Sequence, residues 1–369
     1  MSRDRLRILY VEPFEAGSHA RFGATLRRHL GHELVAWTMP GRHWKWRMRG
    51  AGLWLAEQKP AAGAIDVLLA SSFTPLADLV ALRPDIAGVP RVLYFHENQW
   101  EYPDRGRQER DHHLAFTQVV SAAAADLCLF NSQYNRDTFL RATRAFIQRM
   151  PDARPTATVE ALALRCEVLP VPVEAPSGRP ADSDRSAPLQ ILWNHRWEHD
   201  KRPEAFFTAL EALAEGGADF RIAVCGQAFG TVPAAFDEAR TRWADRIAHW
   251  GPIEDRTRYE SLLGRCDVVL STAAHEFFGM SIVEAALAGC RPIVPDRLAY
   301  PEVVPRCYRY RDDDELLEHL RTCCTRRAAG QPVRFEAPPS FARGFLPERV
   351  VPRLDARLRE LVLDQRAPR

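Results

Sequence analysis

Ile8-Leu9-Tyr10-Val11 carries an apolar side chain at every position, and Val92-Leu93-Tyr94-Phe95 repeats the pattern. A strand wetted on one face alternates apolar with polar residues. An unbroken apolar run suits a strand covered on both faces, as in a parallel sheet. Strands are predicted around these two runs, over 6–11 and Arg91–Phe95, and over 33–37, 66–70 and 126–130. Amphipathic stretches over 20–30, 108–125 and 133–150 predict helices between or after them. Strand–helix alternation without hairpin signals implies βαβ units.

Residues 170–188 hold five prolines and three serines with little apolar content, which marks a linker. A second alternation follows, with strands over 189–193, 221–225, 246–250, 267–270 and 291–294 and helices over 203–214, 234–245, 256–264 and 279–288. The expected fold class is α/β: two doubly wound, Rossmann-like domains whose parallel sheets face a cleft at the carboxyl ends of the strands. Residues 1–172 form the N-terminal domain, 173–188 the linker, 189–346 the C-terminal domain and 347–369 an amphipathic tail.

At 369 residues, with 46% hydrophobic and 27% charged, the chain is long enough for two cores and too apolar for disorder. Fifty Lys+Arg against 48 Asp+Glu exclude a polycation overall. Of those 50, 47 are arginine, Lys45, Lys59 and Lys201 being the exceptions. Genome composition explains such a bias, and so does selection for bidentate phosphate recognition. Arg3, Asp4, Arg5 and Arg7 leave no apolar leader, and the longest charge-free run, 222–236, is too short to span a bilayer. The eight cysteines are scattered, without a CxxC pair. A reduced, cytoplasmic protein without a membrane partner is expected.

Neither G-x-G-x-x-G nor G-x-x-x-x-G-K-[ST] occurs, which argues against a dinucleotide fold or a P-loop. His195-Arg196-Trp197-Glu198-His199 matches the letters H-x-x-E-H, but it follows a predicted strand directly, and Pro203 marks where the next helix starts. A strand–loop–helix junction carrying Arg196 and Lys201 is the better reading. The most informative segment is His275-Glu276-Phe277-Phe278-Gly279-Met280-Ser281-Ile282-Val283-Glu284. It joins a predicted strand to a helix opening near Gly279, whose N-terminus favours an anion. Glu276 would accept bonds from sugar hydroxyls and Glu284 from a ribose diol. The bland alternative is one solvated Glu at the loop and another on the helix surface. Arg196 and Lys201, spaced R-x₄-K, make a diphosphate clamp beside that N-terminus. No evident Asp/Glu/His cluster suits a divalent ion, so no metal and no cofactor are expected.

The E-x₇-E element, the R-x₄-K pair and the two-domain layout resemble the retaining glycosyltransferases of family 4, with the GT-B fold. More narrowly, Glu12-Pro13-Phe14-Glu15-Ala16-Gly17-Ser18-His19, Trp44-Lys45-Trp46, Leu93-Tyr94-Phe95-His96-Glu97-Asn98-Gln99, Gln108-Glu109-Arg110-Asp111, the 195–201 and 275–279 strings and Tyr300-Pro301-Glu302 are similar to the tRNA-queuosine α-mannosyltransferases. The resemblance implies transfer of mannose from GDP-mannose to the cyclopentenediol of queuosine in the anticodon of tRNA(Asp). It implies that Arg196 and Lys201 hold the diphosphate, Glu284 the ribose, and Glu276 with the backbone of Phe278 and Gly279 the mannose. Gly251 and Ile253 fall where the base meets backbone groups. Gly17, Ser18 and His19 would close over the reacting centre, and His96 would approach the sugar, unless it is merely a buried strand-end histidine. In such enzymes the last helix often crosses back to the N-terminal domain, a part that 347–363 would play.

Arg42, Trp44, Lys45, Trp46, Arg47 and Arg49 interleave charge with indole, a composition suited to a single-stranded RNA loop. The alternative is an amphipathic segment whose tryptophans plug the core. Arg105, Arg107 and Arg110 would extend the basic surface. Two other functions fit the same fold: a family 4 transferase acting on a glycan, lipid or small metabolite, and a non-enzymatic RNA-binding protein.

Overall fold

The computed structural model describes residues 5–102, 112–177, 187–228 and 232–366. The chain divides into two compact units, Met1–Pro172 with Pro347–Arg369, and Val173–Leu346. Arg105, Arg107 and Arg110 lie outside the described residues.

Unit 1 is built on six parallel strands: β1 (Arg7–Glu15), β2 (Glu33–Pro40), β3 (Val67–Ser71), β4 (Arg91–Phe95), β5 (Leu127–Phe130) and β6 (Cys166–Val168), in the order β2-β1-β3-β4-β5-β6. The two fully apolar runs are the inner strands β1 and β4, each paired on both edges. Leu9, Val11, Leu93 and Phe95 point into one core with Leu68, Ala70 and Phe130. Ile8, Tyr10, Val92 and Tyr94 are equally buried on the opposite face, where Phe22 of the helix Gly17–His29 stacks on Tyr94 at 4.3 Å. Burial on both faces is what an unbroken apolar run requires.

The helix Pro347–Arg366 buries Val350, Leu354, Leu358 and Val362, one side chain per turn along a single stripe. Its polar edge is tied down as well. His32 accepts the Leu6 amide at Nδ1, and its Nε2 lies 2.5 Å from Asp355. Arg357 pairs with Glu167 at 2.5 Å.

Unit 2 repeats the plan with β7 (Leu189–Asn194), β8 (Phe220–Cys225), β9 (Ile247–Gly251), β10 (Val268–Leu270), β11 (Arg291–Pro295) and β12 (Arg309–Tyr310), in the order β12-β11-β10-β7-β8-β9. Its core centres on Trp193, Phe206, Phe220 and Phe236. Each sheet has a switch point, between β1 and β3 and between β7 and β10, where the winding direction reverses and a crevice opens beyond the strand ends.

Several elements were not expected from the sequence, among them the helices Leu76–Leu82, Thr156–Ala163 and Asp313–Ala328. The basic segment 42–49 opens a helix, Trp44–Gln58, whose periodicity is obscured by Gly50 and Gly52 and by the outward-facing Trp46 and Leu53. The two-residue β12 and three-residue β6 are too short to leave a pattern in the sequence.

Candidate functional site

In unit 2, β7 and β10 deliver their following loops to the same switch point. His195 opens the first and is buried, while Arg196 beside it is exposed. The chain then makes a short 3-10 turn, His199–Lys201, which aims Lys201 inward. The Lys201 ammonium donates to the His275 carbonyl at 2.5 Å and lies 3.3 Å from Asp200 and 3.5 Å from Glu276. Burial opposes its charge, but Glu276 and Asp200 outweigh that and raise its pKa. The same cation, after burial itself, pushes His195 down to about 3. A neutral histidine beside a charged lysine results. His199 is exposed rather than joined to His195, so the H-x-x-E-H letters form no ligand pair.

Glu276 is held at one point by three amides. Its Oε1 accepts from Phe277, Phe278 and Gly279 at 3.2, 3.3 and 3.1 Å. Burial alone would raise this carboxyl; the Lys201 charge and the Phe278 amide reverse that and lower its pKa to about 2. The amides that the sequence assigns to a ligand are therefore engaged, in this structure, by the protein's own carboxylate. Gly279 sits at φ +89, and a Cβ there would lie 2.9 Å from Tyr300, whose hydroxyl is tied to Ser271 at 2.7 Å. Only glycine meets both conditions.

Glu284 is not on the helix surface. It is buried on the helix Met280–Leu287, with Oε1 accepting from Arg256 at 2.8 Å and Oε2 from the Tyr259 hydroxyl at 3.2 Å. Tyr259 is fixed in turn by Asn194 at 2.5 Å. Arg256, Tyr259, Asn194 and Asp200 belong to the site, although no spacing in the sequence singles them out. Gly251 ends β9 at φ +111, and Ile253 is half-buried just beyond it.

In unit 1, the carboxyl ends of β1 and β4 meet the start of the helix Gly17–His29. Gly17, at φ +52, and Ser18 are exposed there. His19 is buried, with Nδ1 2.9 Å from Glu12 and Nε2 3.3 Å from Glu97. Burial would lower its pKa, but the two carboxylates raise it to about 10. His96 packs on His19 with ring centroids 4.1 Å apart. Burial first and the His19 charge second keep His96 neutral. Glu12, His19 and His96 each place a donor atom within 4.8 Å of the others, a set chemically able to hold a metal ion. The sequence showed no such cluster because His96 lies far along the chain from Glu12 and His19 and joins them only in the fold.

The side chains of 42–49 divide between the interior and the surface. Trp44 turns inward against Phe73 and Tyr102, beside the buried Met48. Trp46 points out and is 65% exposed, flanked by the exposed Arg42, Lys45 and Arg49. Arg47 is half-buried.

The family model described as tRNA-queuosine alpha-mannosyltransferase N-terminal matches residues 7–173. A tRNA-queuosine alpha-mannosyltransferase of Drosophila melanogaster is 36% identical over 334 residues, covering 88% of each chain. A GDP-mannose-dependent alpha-(1-6)-phosphatidylinositol dimannoside mannosyltransferase of Mycobacterium tuberculosis is 31% identical over 121 residues, 32% of this chain and 31% of that one. Among solved structures, Anabaena HepE in complex with UDP and glucose superimposes with a TM-score of 0.66 at 16% identity, covering 96% of this chain and 100% of that one. Sucrose-phosphate synthase from Thermosynechococcus elongatus gives 0.67 at 13% identity, covering 98% and 100%. At such identities the structural likeness speaks for the fold, which is GT-B.

Proposed function

The chain belongs to the tRNA-queuosine alpha-mannosyltransferase family, and on that premise we propose that it transfers mannose from GDP-mannose to the cyclopentenediol of queuosine at the wobble position of tRNA(Asp). The observation that carries this reading is 36% identity spread over 88% of the chain, through both units. The site chemistry supports it. Lys201 and Arg196 supply two cations at a sheet switch point, the charge that a leaving diphosphate needs. Glu284 takes the ribose, oriented by Arg256 and Tyr259. Glu276, oriented by the amides of Phe278 and Gly279, takes mannose hydroxyls.

Retention without a placed nucleophile suits front-face attack. The bond from the anomeric carbon to the diphosphate oxygen breaks, and the acceptor hydroxyl bonds to that carbon on the same face. Its proton passes to a diphosphate oxygen, which leaves as GDP. His96, neutral and buried, positions a hydroxyl and is not the base. On the acceptor side, Trp46 offers a face for a splayed base while Arg42, Lys45 and Arg49 meet phosphates. We assign the reaction to the reduced interior of the cell, where tRNA is. No helix among the described residues is long and apolar enough to cross a membrane.

The test is to incubate the protein with queuosine-containing tRNA and each of several nucleotide-sugars, then weigh the released nucleosides. A gain of one hexose on queuosine with GDP-mannose alone is expected. Transfer from UDP-sugars instead, or no gain on queuosine, would refute the reading.

A further inference from the structure

Two carboxylates of unit 1 clamp His19 from opposite sides, and they are not equivalent. Glu12 is completely buried and fully engaged: Oε1 accepts from the Phe14 amide at 2.9 Å and the Ser71 hydroxyl at 3.0 Å, and Oε2 faces His19. Glu97 uses only Oε2, at 3.3 Å from His19 Nε2, and its side chain is 19% exposed. Its Oε1 has no hydrogen bond among the described residues. The residue is nonetheless anchored, because its carbonyl accepts from Ser72 and from Gln118, each at 3.3 Å. A carboxylate with one free oxygen thus projects from a fixed point of the chain.

Two further observations say what this corner is made to receive. The His19 imidazolium balances one of the two carboxylates, which leaves a net charge of about −1 whose outlet is Glu97. Next to it, both ring nitrogens of His96 are buried and without a partner among the described residues. A buried, unfilled polar group is costly, so such a pair points to a ligand with hydroxyls. Negative charge beside an unfilled neutral imidazole suits a protonated amine carried next to a diol. In queuosine the cyclopentenediol hangs on the deazapurine through a secondary amine, which is cationic at neutral pH.

We propose that Glu97 is the acceptor-recognition residue, its free carboxylate oxygen binding the protonated secondary amine of queuosine while a His96 nitrogen takes a hydroxyl of the adjoining diol. Glu12 is a positioning residue that holds His19, and through it Glu97, in place. The proposal rests on the mannosyltransferase reading and adds to it the feature by which the acceptor is told from an uncharged diol. A metal ion in this corner is disfavoured because both nitrogens of His19 already face carboxylates, and a metal would have to displace the proton at Nδ1.

The experiment is steady-state transfer by full-length wild type, Glu97→Gln and Glu97→Asp, with queuosine-tRNA and with the same tRNA N-acetylated at the queuosine amine. Loss of one charge-assisted contact should raise the KM for queuosine-tRNA about tenfold in Glu97→Gln, with the KM for GDP-mannose unchanged. Glu97→Asp, which keeps the charge, should recover most of that loss. The wild type should discriminate against the acetylated tRNA, and Glu97→Gln should not. A merely structural Glu97 would move neither the discrimination nor the split between the two KM values. Equal discrimination by wild type and Glu97→Gln would overturn the proposal alone. One equivalent of tightly held zinc on the wild type, lost in His96→Ala, would also overturn it. A wild type inactive on queuosine-tRNA but active on another acceptor would overturn the functional reading, and the proposal with it.

Discussion

Glu276 binds three main-chain amides with one oxygen and faces Lys201 with the other. A carboxylate held this way is stabilised in its charged form, so it ties site geometry to pH. Its folded-state pKa, about 2, lies below the ordinary value of 4.5. Its contribution to stability is therefore present above pH 4.5 and is lost as the pH falls towards 2. Replacing Glu276 by Gln should flatten the acid limb of the melting temperature between those limits and cut transfer about a hundredfold, as loss of a positioned site group does. Melting curves across pH and initial rates check both; an unchanged acid limb would contradict the assigned bonds. Glu276 and Glu284 were singled out by their spacing and by the R-x₄-K pair. Their immediate partners were not. Arg256 is one of 47 arginines, and only the fold brings it within 2.8 Å of Glu284.

The helix Trp44–Gln58 shows how one amphipathic element serves two needs. Its inner side packs Met48, Ala51 and Leu55 into unit 1, while Trp46, Leu53 and Trp54 remain exposed. On the proposed function, the exposed Trp46 indole among Arg42, Lys45 and Arg49 stacks on a base. Trp46→Ala should weaken tRNA binding by about 1–3 kcal/mol, the usual worth of one stacked base, and leave GDP-mannose binding untouched. Fluorescence anisotropy with tRNA and calorimetry with the nucleotide-sugar separate the two; an equal loss of both would place Trp46 in the fold and not at the RNA. The composition of 42–49 marked the segment as basic and aromatic. It did not say that Trp44 faces in and Trp46 out, because that depends on where the helix starts and which side the sheet covers.

At the scale of the molecule, the chain begins unit 1, builds unit 2, and returns in the helix Pro347–Arg366 to complete unit 1. Leu358 on that helix is fully buried. Leu358→Ala should therefore cost unit 1 about 2–5 kcal/mol, as cavity-forming core substitutions do. Hydrogen exchange should show faster amides in 5–172 with 173–346 unchanged; the opposite distribution would contradict the division into units. The sequence by itself determined the parallel sheets, since apolar runs such as those at 8–11 and 92–95 are stable only when covered on both faces. It also placed Arg196 with Lys201 and Glu276 with Glu284, because R-x₄-K and E-x₇-E are local spacings on single loops and helices. Only the tertiary structure decided which carboxylates surround His19, that Glu284 is buried, and that Glu97 keeps one oxygen free among the described residues. Those properties depend on residues that lie close in space but far apart in the chain, and distant pairings leave no periodic trace in the order of amino acids.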